Sequence, residues 1–177
     1  AWHSIRELVD TALTREETKK IKLFIKEIPG VKAIHQLRTR SIAGSIFCDV
    51  HVLVDPRISV SEGHYIGQEV DKRLIAAFPD ITDVVVHIDT EDAYMNNPSP
   101  YLPDRATLLK ILEKQWGSIL PKMVIKTAIF HYLEGKVSIE LKLPLALMHQ
   151  LDLEQNLKKI MSTEKFITDI KFFYYKN

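Results

Sequence analysis

The stretch VVVHIDT, at residues 84–90, joins a buried strand pattern to two side chains that can bind metal. Three aliphatic residues alternate along it with Val85, His87 and Asp89. Because successive side chains of a β-strand point to opposite faces, His87 and Asp89 share one face, and the aliphatic residues share the other. We therefore predict a strand with one face buried against helices and an imidazole beside a carboxylate on its outer face.

A second stretch, FCDVHVLVD at residues 47–55, has the same alternation. Its predicted core face holds Cys48, Val50, Val52 and Val54, and its opposite face holds Phe47, Asp49, His51 and Leu53. Imidazole nitrogen and carboxylate oxygen are ligands that Zn²⁺ and related divalent ions accept. The two outer faces are therefore a candidate metal site, although a single histidine on a half-exposed strand is more often a plain surface residue.

The composition is that of an ordinary globular protein. The 177 residues are 46% hydrophobic and 27% charged, with a net charge of +1, which gives no reason to expect a nucleic-acid partner. One cysteine, Cys48, excludes an internal disulfide framework and fits a reducing compartment. No phosphate-binding glycine loop, nucleophile elbow or C-x-x-C pair is present in the sequence, so no enzyme activity is predicted.

The order of the predicted elements is α-β-β-α-β, and after a polar break at residues 96–100 it is repeated. A helix over 2–13 precedes the first unit. The first unit has a helix capped by Thr14 and Glu17, strands at 31–40 and 46–54, a helix capped by Ser61, and a strand at 84–88. The second unit has a helix capped by Asp104, strands at 123–133 and 136–145, a helix at 150–161, and a strand at 166–175.

Two local matches indicate that this repetition is a duplication. ITDVVVHID at 81–89 parallels ITDIKFFYY at 167–175, and SIFCDVHV after Gly44 parallels KVSIELKL after Gly135. Each unit is predicted to be a small sheet covered on one face by two helices. The fold class is therefore α+β, with a ferredoxin-like unit followed by a second, degenerate one.

Four motifs in order carry a family resemblance. IPGVKAIHQLRTR, FCDVHVLVD, SEGHYIGQEVDKRL and FPDITDVVVHIDT resemble the C-terminal cytoplasmic domain of the cation diffusion facilitator transporters. The resemblance covers residues 4–92, and residues 104–177 have no counterpart in the usual family domain. IRELVDTAL, at 5–13, resembles the stretch that follows the last membrane helix in that family, so a transmembrane domain of the same chain is expected before it.

The resemblance implies a metallochaperone-like fold and a V-shaped homodimer beneath a proton-coupled exporter, at the cytoplasmic face of the cell membrane. The expected ion is Zn²⁺ or a related divalent ion (Fe²⁺, Mn²⁺, Co²⁺ or Cd²⁺). The metal ligands that it implies are His35, His51, His64, His87 and Asp89, with His64 serving the site of the other protomer. Asp49 is adjacent and ranks after these five.

The second unit departs from the ligand pattern. Aligning the two repeats places Lys126, Lys142, Phe173 and Tyr175 at the positions of His35, His51, His87 and Asp89. Lysine is protonated at neutral pH and phenylalanine offers no lone pair. The predicted domains are thus a segment at 1–13 after the last membrane helix, a metal-binding unit at 14–95, and a unit at 104–177 without metal ligands.

Two other functions fit the same fold. One is a stand-alone ferredoxin-like sensor of small molecules, in which metal is incidental. The other is an enzyme on this common fold, such as a phosphatase, which the lack of a nucleophile–base pair disfavours. His3, His131 and His149 are predicted to be plain polar face residues rather than ligands, and Trp116 to be a packing residue.

Overall fold

The chain divides into two compact units, one ending at Asp92 and one after it. The computed structural model describes residues 13–42, 44–92, 101–150 and 152–176. The helix predicted over 2–13, and with it nearly all of the segment expected after a membrane helix, lies outside the described residues. Each unit has an apolar core of its own.

The first unit has the predicted α-β-β-α-β order. Its elements are α1 (Arg15–Lys26), β1 (Ala33–Ile42), β2 (Ser45–Leu53), α2 (Val60–Ala77) and β3 (Ile81–Asp89). The strand order is β1-β2-β3, and β2 pairs antiparallel with β1 and parallel with β3. The central strand is therefore β2, and its outer face is flanked by side chains from both neighbours.

The valine-rich face of β2 forms the core with the two helices, as predicted. Val50 and Val52 are fully buried, and α2 contributes Val70 and Leu74, which are equally inaccessible. Ile75, by contrast, is 41% exposed. It follows Leu74 by one residue, about 100° further round the helix, which turns it away from the sheet.

The helix starts show which serines and threonines act as caps. The Thr14 hydroxyl accepts a hydrogen bond from the Glu17 backbone N–H, and Glu17 accepts one from the Thr14 N–H at 2.9 Å, so the predicted capping box is present. The cap of α2 is Ser59 rather than the predicted Ser61. The Ser59 hydroxyl accepts from the Glu62 N–H at 3.1 Å, because Ser59 and not Ser61 stands three residues before Glu62.

The second unit repeats this order with short additions. Its elements are α3 (Arg105–Trp116), α4 (Lys122–Ile125), β4 (Ile129–Leu133), β5 (Lys136–Pro144), a 3₁₀ turn (Leu145–Leu147), α5 (Leu153–Met161) and β6 (Ile167–Tyr175). The sheet order is β4-β5-β6, again antiparallel and then parallel. The two units therefore share one strand topology, which confirms the α+β class. Trp116 is fully buried and is a packing residue, as predicted.

The strand expected from Met123 begins only at Ile129. Residues before it form the single turn α4, which follows Pro121 and buries Val124 and Ile125. A short apolar run has the same hydrophobicity in a buried helical turn as in a strand, so periodicity does not separate the two. Lys126, which the repeat alignment equates with His35, therefore lies at a helix end rather than on a strand.

The aromatic strand β6 has two different faces. Phe172 and Tyr174 pack against the core of the second unit, whereas Phe173 is 48% and Tyr175 39% exposed. Successive aromatic side chains of β6 thus point to opposite faces of the sheet. Among the described helices, none has the length and apolarity needed to cross a membrane.

Candidate metal centre

His51 and His87 are direct cross-strand partners on β2 and β3. Both alternate with core residues, so both lie on the sheet face opposite the helices. The two rings stack with their centroids 4.4 Å apart and their planes at 11°. The parallel register of β2 and β3 thus places the two predicted imidazole ligands side by side.

Each histidine contacts a carboxylate on the other strand. His51 Nδ1 lies 2.9 Å from Asp89 Oδ2, and His87 Nε2 lies 2.9 Å from Asp49 Oδ1. Asp49 precedes His51 by two residues and Asp89 follows His87 by two, so the carboxylates flank the ring pair from opposite ends. We call these four residues the His–Asp quartet.

The quartet has the composition and the access that a metal site needs. Three of its side chains are half-buried and His87 is exposed, with exposed fractions from 29% for Asp89 to 46% for His87. One ligand atom each from Asp49, His51 and His87 lies within 4.8 Å of the other two. Within the described ranges this is the one group of three or more such residues that meets this distance. Nitrogen and oxygen donors of this kind suit Zn²⁺ and neighbouring divalent ions.

Asp49, which the sequence ranked after the five predicted ligands, is a member of the quartet. The period-two alternation already placed it on the same face as His51. The missing information was the register between β2 and β3, which brings its carboxylate to the ring of His87 rather than to that of His51. No local pattern in the sequence specifies that diagonal contact.

His35 lies outside the quartet. The pairing of β1 with β2 shifts between Ile34 and Gln36, which leaves His35 as the extra residue of a β-bulge. Its Nδ1 is 3.2 Å from Asp92 Oδ2, and its side chain is only 12% exposed. Its Nε2 is buried and has no hydrogen-bond partner in the described part of the chain.

His64 is also separate from the quartet of its own protomer. It is exposed in the first turns of α2. It lines a groove of about 350 Å³ with apolar residues that include Val54, Ile58 and Ile88. The structure therefore brings three of the five predicted ligands together, namely His51, His87 and Asp89, and adds Asp49 to them.

The register of the second unit supports the alignment of the repeats. Lys142 of β5 pairs with Phe173 of β6, as His51 pairs with His87. Both side chains are exposed at this position. Elsewhere on β4 and β5, His131 Nε2 lies 3.4 Å from Glu140 Oε1 of the neighbouring strand.

Comparison with known proteins gives one family for the first unit. Residues 13–91 match the family model described as the cytoplasmic domain of cation efflux proteins. Metal tolerance protein C1 of Arabidopsis thaliana is 40% identical over 86 residues, which are 49% of this chain and 18% of that protein. The cation-efflux pump FieF of Shewanella oneidensis is 36% identical over 88 residues, which are 50% of this chain and 29% of that protein.

Among solved structures, a manganese form of the MamM CTD is 26% identical, with a TM-score of 0.41, over 42% of this chain and 94% of that one. The chain spans less than a third of the length of the two curated relatives. The family model, the motif order and the His–Asp quartet all fall in the first unit. For residues 13–91 the family model thus confirms the resemblance to the cytoplasmic domain of cation efflux proteins that the four motifs indicated.

Proposed function

We propose that this chain is the cytosolic regulatory and dimerisation part of a proton-coupled exporter of divalent cations. The bound ion is Zn²⁺ or a related metal, and it is held where two protomers meet. The chain itself catalyses no reaction. Relatives named as a metal tolerance protein and a cation-efflux pump support the transport role. The full protein would carry its own transmembrane domain and hold this part at the cytoplasmic face of the cell membrane.

The observation that carries the proposal is the His–Asp quartet. Two imidazoles supply nitrogen donors, and two carboxylates supply oxygen donors with a combined charge that offsets a divalent cation. The four side chains stand on two adjacent strands of one sheet, whose backbone is fixed by pairing along the whole length of β2. A face built in this way holds its donors close together without needing a mobile loop.

His35 and His64 are the remaining members of the proposed ligand set, His35 from the same chain and His64 from a second copy. His35 stands in the bulge of β1 next to Gln36, the residue paired with His51, and it keeps one buried nitrogen without a hydrogen bond. A metal ion near the quartet would give that nitrogen a partner. His64 is exposed on α2 and is held away from its own quartet, which leaves it available to the site of a second copy.

Binding between protomers would give the domain a regulatory output. An ion that binds the associated pair more tightly than it binds the separate protomers favours association by mass action. It also shifts the arrangement of the pair to the extent that it binds one arrangement better than another. The occupied domain would thus report the cytosolic metal level to the transmembrane part of the same chain.

Calorimetry on the full chain tests the proposal. The double variant His51→Ala, His87→Ala removes both nitrogen donors of the quartet, so zinc binding should be lost or fall by orders of magnitude. His149→Ala is the matched control, because it removes an exposed imidazole from the second unit. Equal stoichiometry and affinity in the double variant and the control would overturn the metal assignment and favour a small-molecule sensor instead.

A further inference from the structure

Asp49 has an oxygen that hydrogen bonding does not satisfy. Its Oδ1 is buried, with essentially no solvent contact, and has no hydrogen-bond partner among the described residues. The same atom is 2.9 Å from His87 Nε2, a distance short enough for a hydrogen bond but without the required direction. A buried carboxylate oxygen in this condition is unfavourable unless something else supplies positive charge.

The spacing of these atoms suits a shared ion. Bonds of about 2.0–2.2 Å from zinc to nitrogen or oxygen put neighbouring ligands of one tetrahedral ion about 3.3–3.6 Å apart. The Asp49–His87 contact is slightly shorter than that, and His51 offers a third atom within 4.8 Å of both. The three atoms therefore lie close to the spacing that one ion would require.

Asp49 is also open to ions from solvent. It lines a groove of about 380 Å³ on the outer face of the sheet, with Arg38, Phe47 and Asp83 among the other lining residues. Arg38 is the residue opposite Asp49 on β1, and Asp83 is opposite Phe47 on β3. The groove thus contains charges of both signs, and Asp49 is the residue that it shares with the quartet.

We infer that Asp49 is a direct metal ligand and that one protomer holds an ion through Asp49, His51 and His87 without a residue from its partner. This inference rests on the proposed metal-binding function and extends it to the order of events. The ion binds a single chain first, and the partner's ligands act on a site that is already occupied. In protein dilute enough to be monomeric, the affinity for the first ion is then set by one chain alone.

Variants at three positions separate this inference from the proposed function. Asp49→Asn keeps the size of the side chain but weakens the ligand, and Asp83→Asn removes an equal charge from the same groove without touching the quartet. Because even residues that only orient a ligand change affinity by about 10- to 100-fold, losing Asp49 as a ligand should lower zinc affinity by about 100-fold or more. In dilute, monomeric protein, His64→Ala should still bind one ion per protomer with the affinity of the unsubstituted chain.

Cobalt spectroscopy distinguishes a ligand from a residue that only orients His87. In Asp49→Cys loaded with Co²⁺, a thiolate in the coordination sphere gives a charge-transfer band in the near ultraviolet. The unsubstituted chain is the control, since its Cys48 is buried on the core face. A band in the variant alone is the expected result.

The outcomes are distinct. If Asp49→Asn binds zinc as tightly as Asp83→Asn, or if the Asp49→Cys variant binds Co²⁺ without the band, the inference is wrong, while loss of binding in the His51→Ala, His87→Ala variant still upholds the proposed function. If His64→Ala binds no ion in dilute protein, the single-protomer site is wrong even though Asp49 is a ligand. If none of the quartet variants alters zinc binding, both proposals fail.

Discussion

His51 of β2 and His87 of β3 face each other across a parallel strand pair, with their rings stacked 4.4 Å apart. A carboxylate of the opposite strand lies 2.9 Å from a nitrogen of each ring. An ion bound by one of the two imidazoles should therefore contact the other as well. Changes that affect both rings should have a larger effect on metal affinity than changes that affect one.

Zinc affinity should fall steeply in mild acid. Imidazole binds metal only in its neutral form, and its ordinary pKa is about 6.5. If two imidazoles ligate the ion, lowering the pH from about 7.5 to about 5.5 should weaken binding by about 100-fold. Competition against a chromophoric chelator at each pH measures this. An affinity that is constant over this range would show that histidines are not ligands.

Metal should make the protein dimeric, or make an existing dimer more compact and more stable. Ions held between protomers stabilise the associated state in proportion to their binding to it. Small-angle scattering should show a smaller radius of gyration per dimer with saturating zinc, and thermal melts should show a higher Tm. Identical scattering and melting curves with and without metal would contradict a bridging role.

We predict that the second unit serves contact rather than ligation. Each unit has a separate core, so a chain that ends after Asn97 should still fold as the first unit. It should keep its zinc binding but dimerise less tightly, because the exposed Phe173 and Tyr175 are removed with β6. Analytical ultracentrifugation and calorimetry measure the two properties. Unchanged dimer affinity would refute the contact role, and loss of zinc from a folded dimer would refute the absence of ligands in the second unit.

Gly30→Ala should destabilise the first unit more than Gly44→Ala. Both glycines have left-handed backbones, with φ of 89° and 86°, which cost other residues about 1–2 kcal/mol. A Cβ at Gly30 would also lie 2.6 Å from Ile66 Cδ1, whereas one at Gly44 meets nothing within 4 Å. Chemical denaturation measures the free energy of unfolding of both variants. The difference between their losses gives the cost of the clash, since both share the backbone cost. Equal losses would show that α2 moves aside freely.

The stability of the second unit should fall in acid partly through Asp104. Its carboxylate caps α3 by accepting a hydrogen bond from the Thr107 N–H at 2.8 Å, which lowers the pKa of Asp104 below its ordinary value. A depressed pKa in the folded state means that this stabilisation is complete above the ordinary value and is lost as the pH falls through the lowered one. Asp104→Asn should flatten that part of the pH dependence of Tm. An equal slope in both proteins would contradict it.

The fold was largely predictable because the pattern within each strand decides which side is buried. In β2 the alternation of valine with polar residues identified both faces correctly, and the Asp104 cap placed the start of α3. The apolar run from Met123 was the exception, since one turn of helix buries Val124 and Ile125 as well as a strand would. Local pattern was ambiguous there, and packing decided the structure.

The candidate site was less predictable because it depends on pairing between strands. Because His87 and Asp89 share one face of β3, the sequence-based prediction placed them side by side. The observed contacts instead run diagonally, from each histidine to the aspartate of the neighbouring strand. The bulge at His35 is a second case, since an extra residue in one strand has no sequence signature here. Register is a tertiary property, and it determines which of the predicted ligands meet.

The diagonal arrangement makes the site sensitive to the alignment of β3. Because side chains alternate between faces, sliding β3 by one residue along β2 would send His87 into the core and bring Val86 or Ile88 to the position opposite His51. An ion bound across the two strands would resist such a slip and would therefore fix the register of β3 relative to β2. Metal occupancy should therefore slow hydrogen exchange along β2 and β3 well beyond the residues that touch the ion.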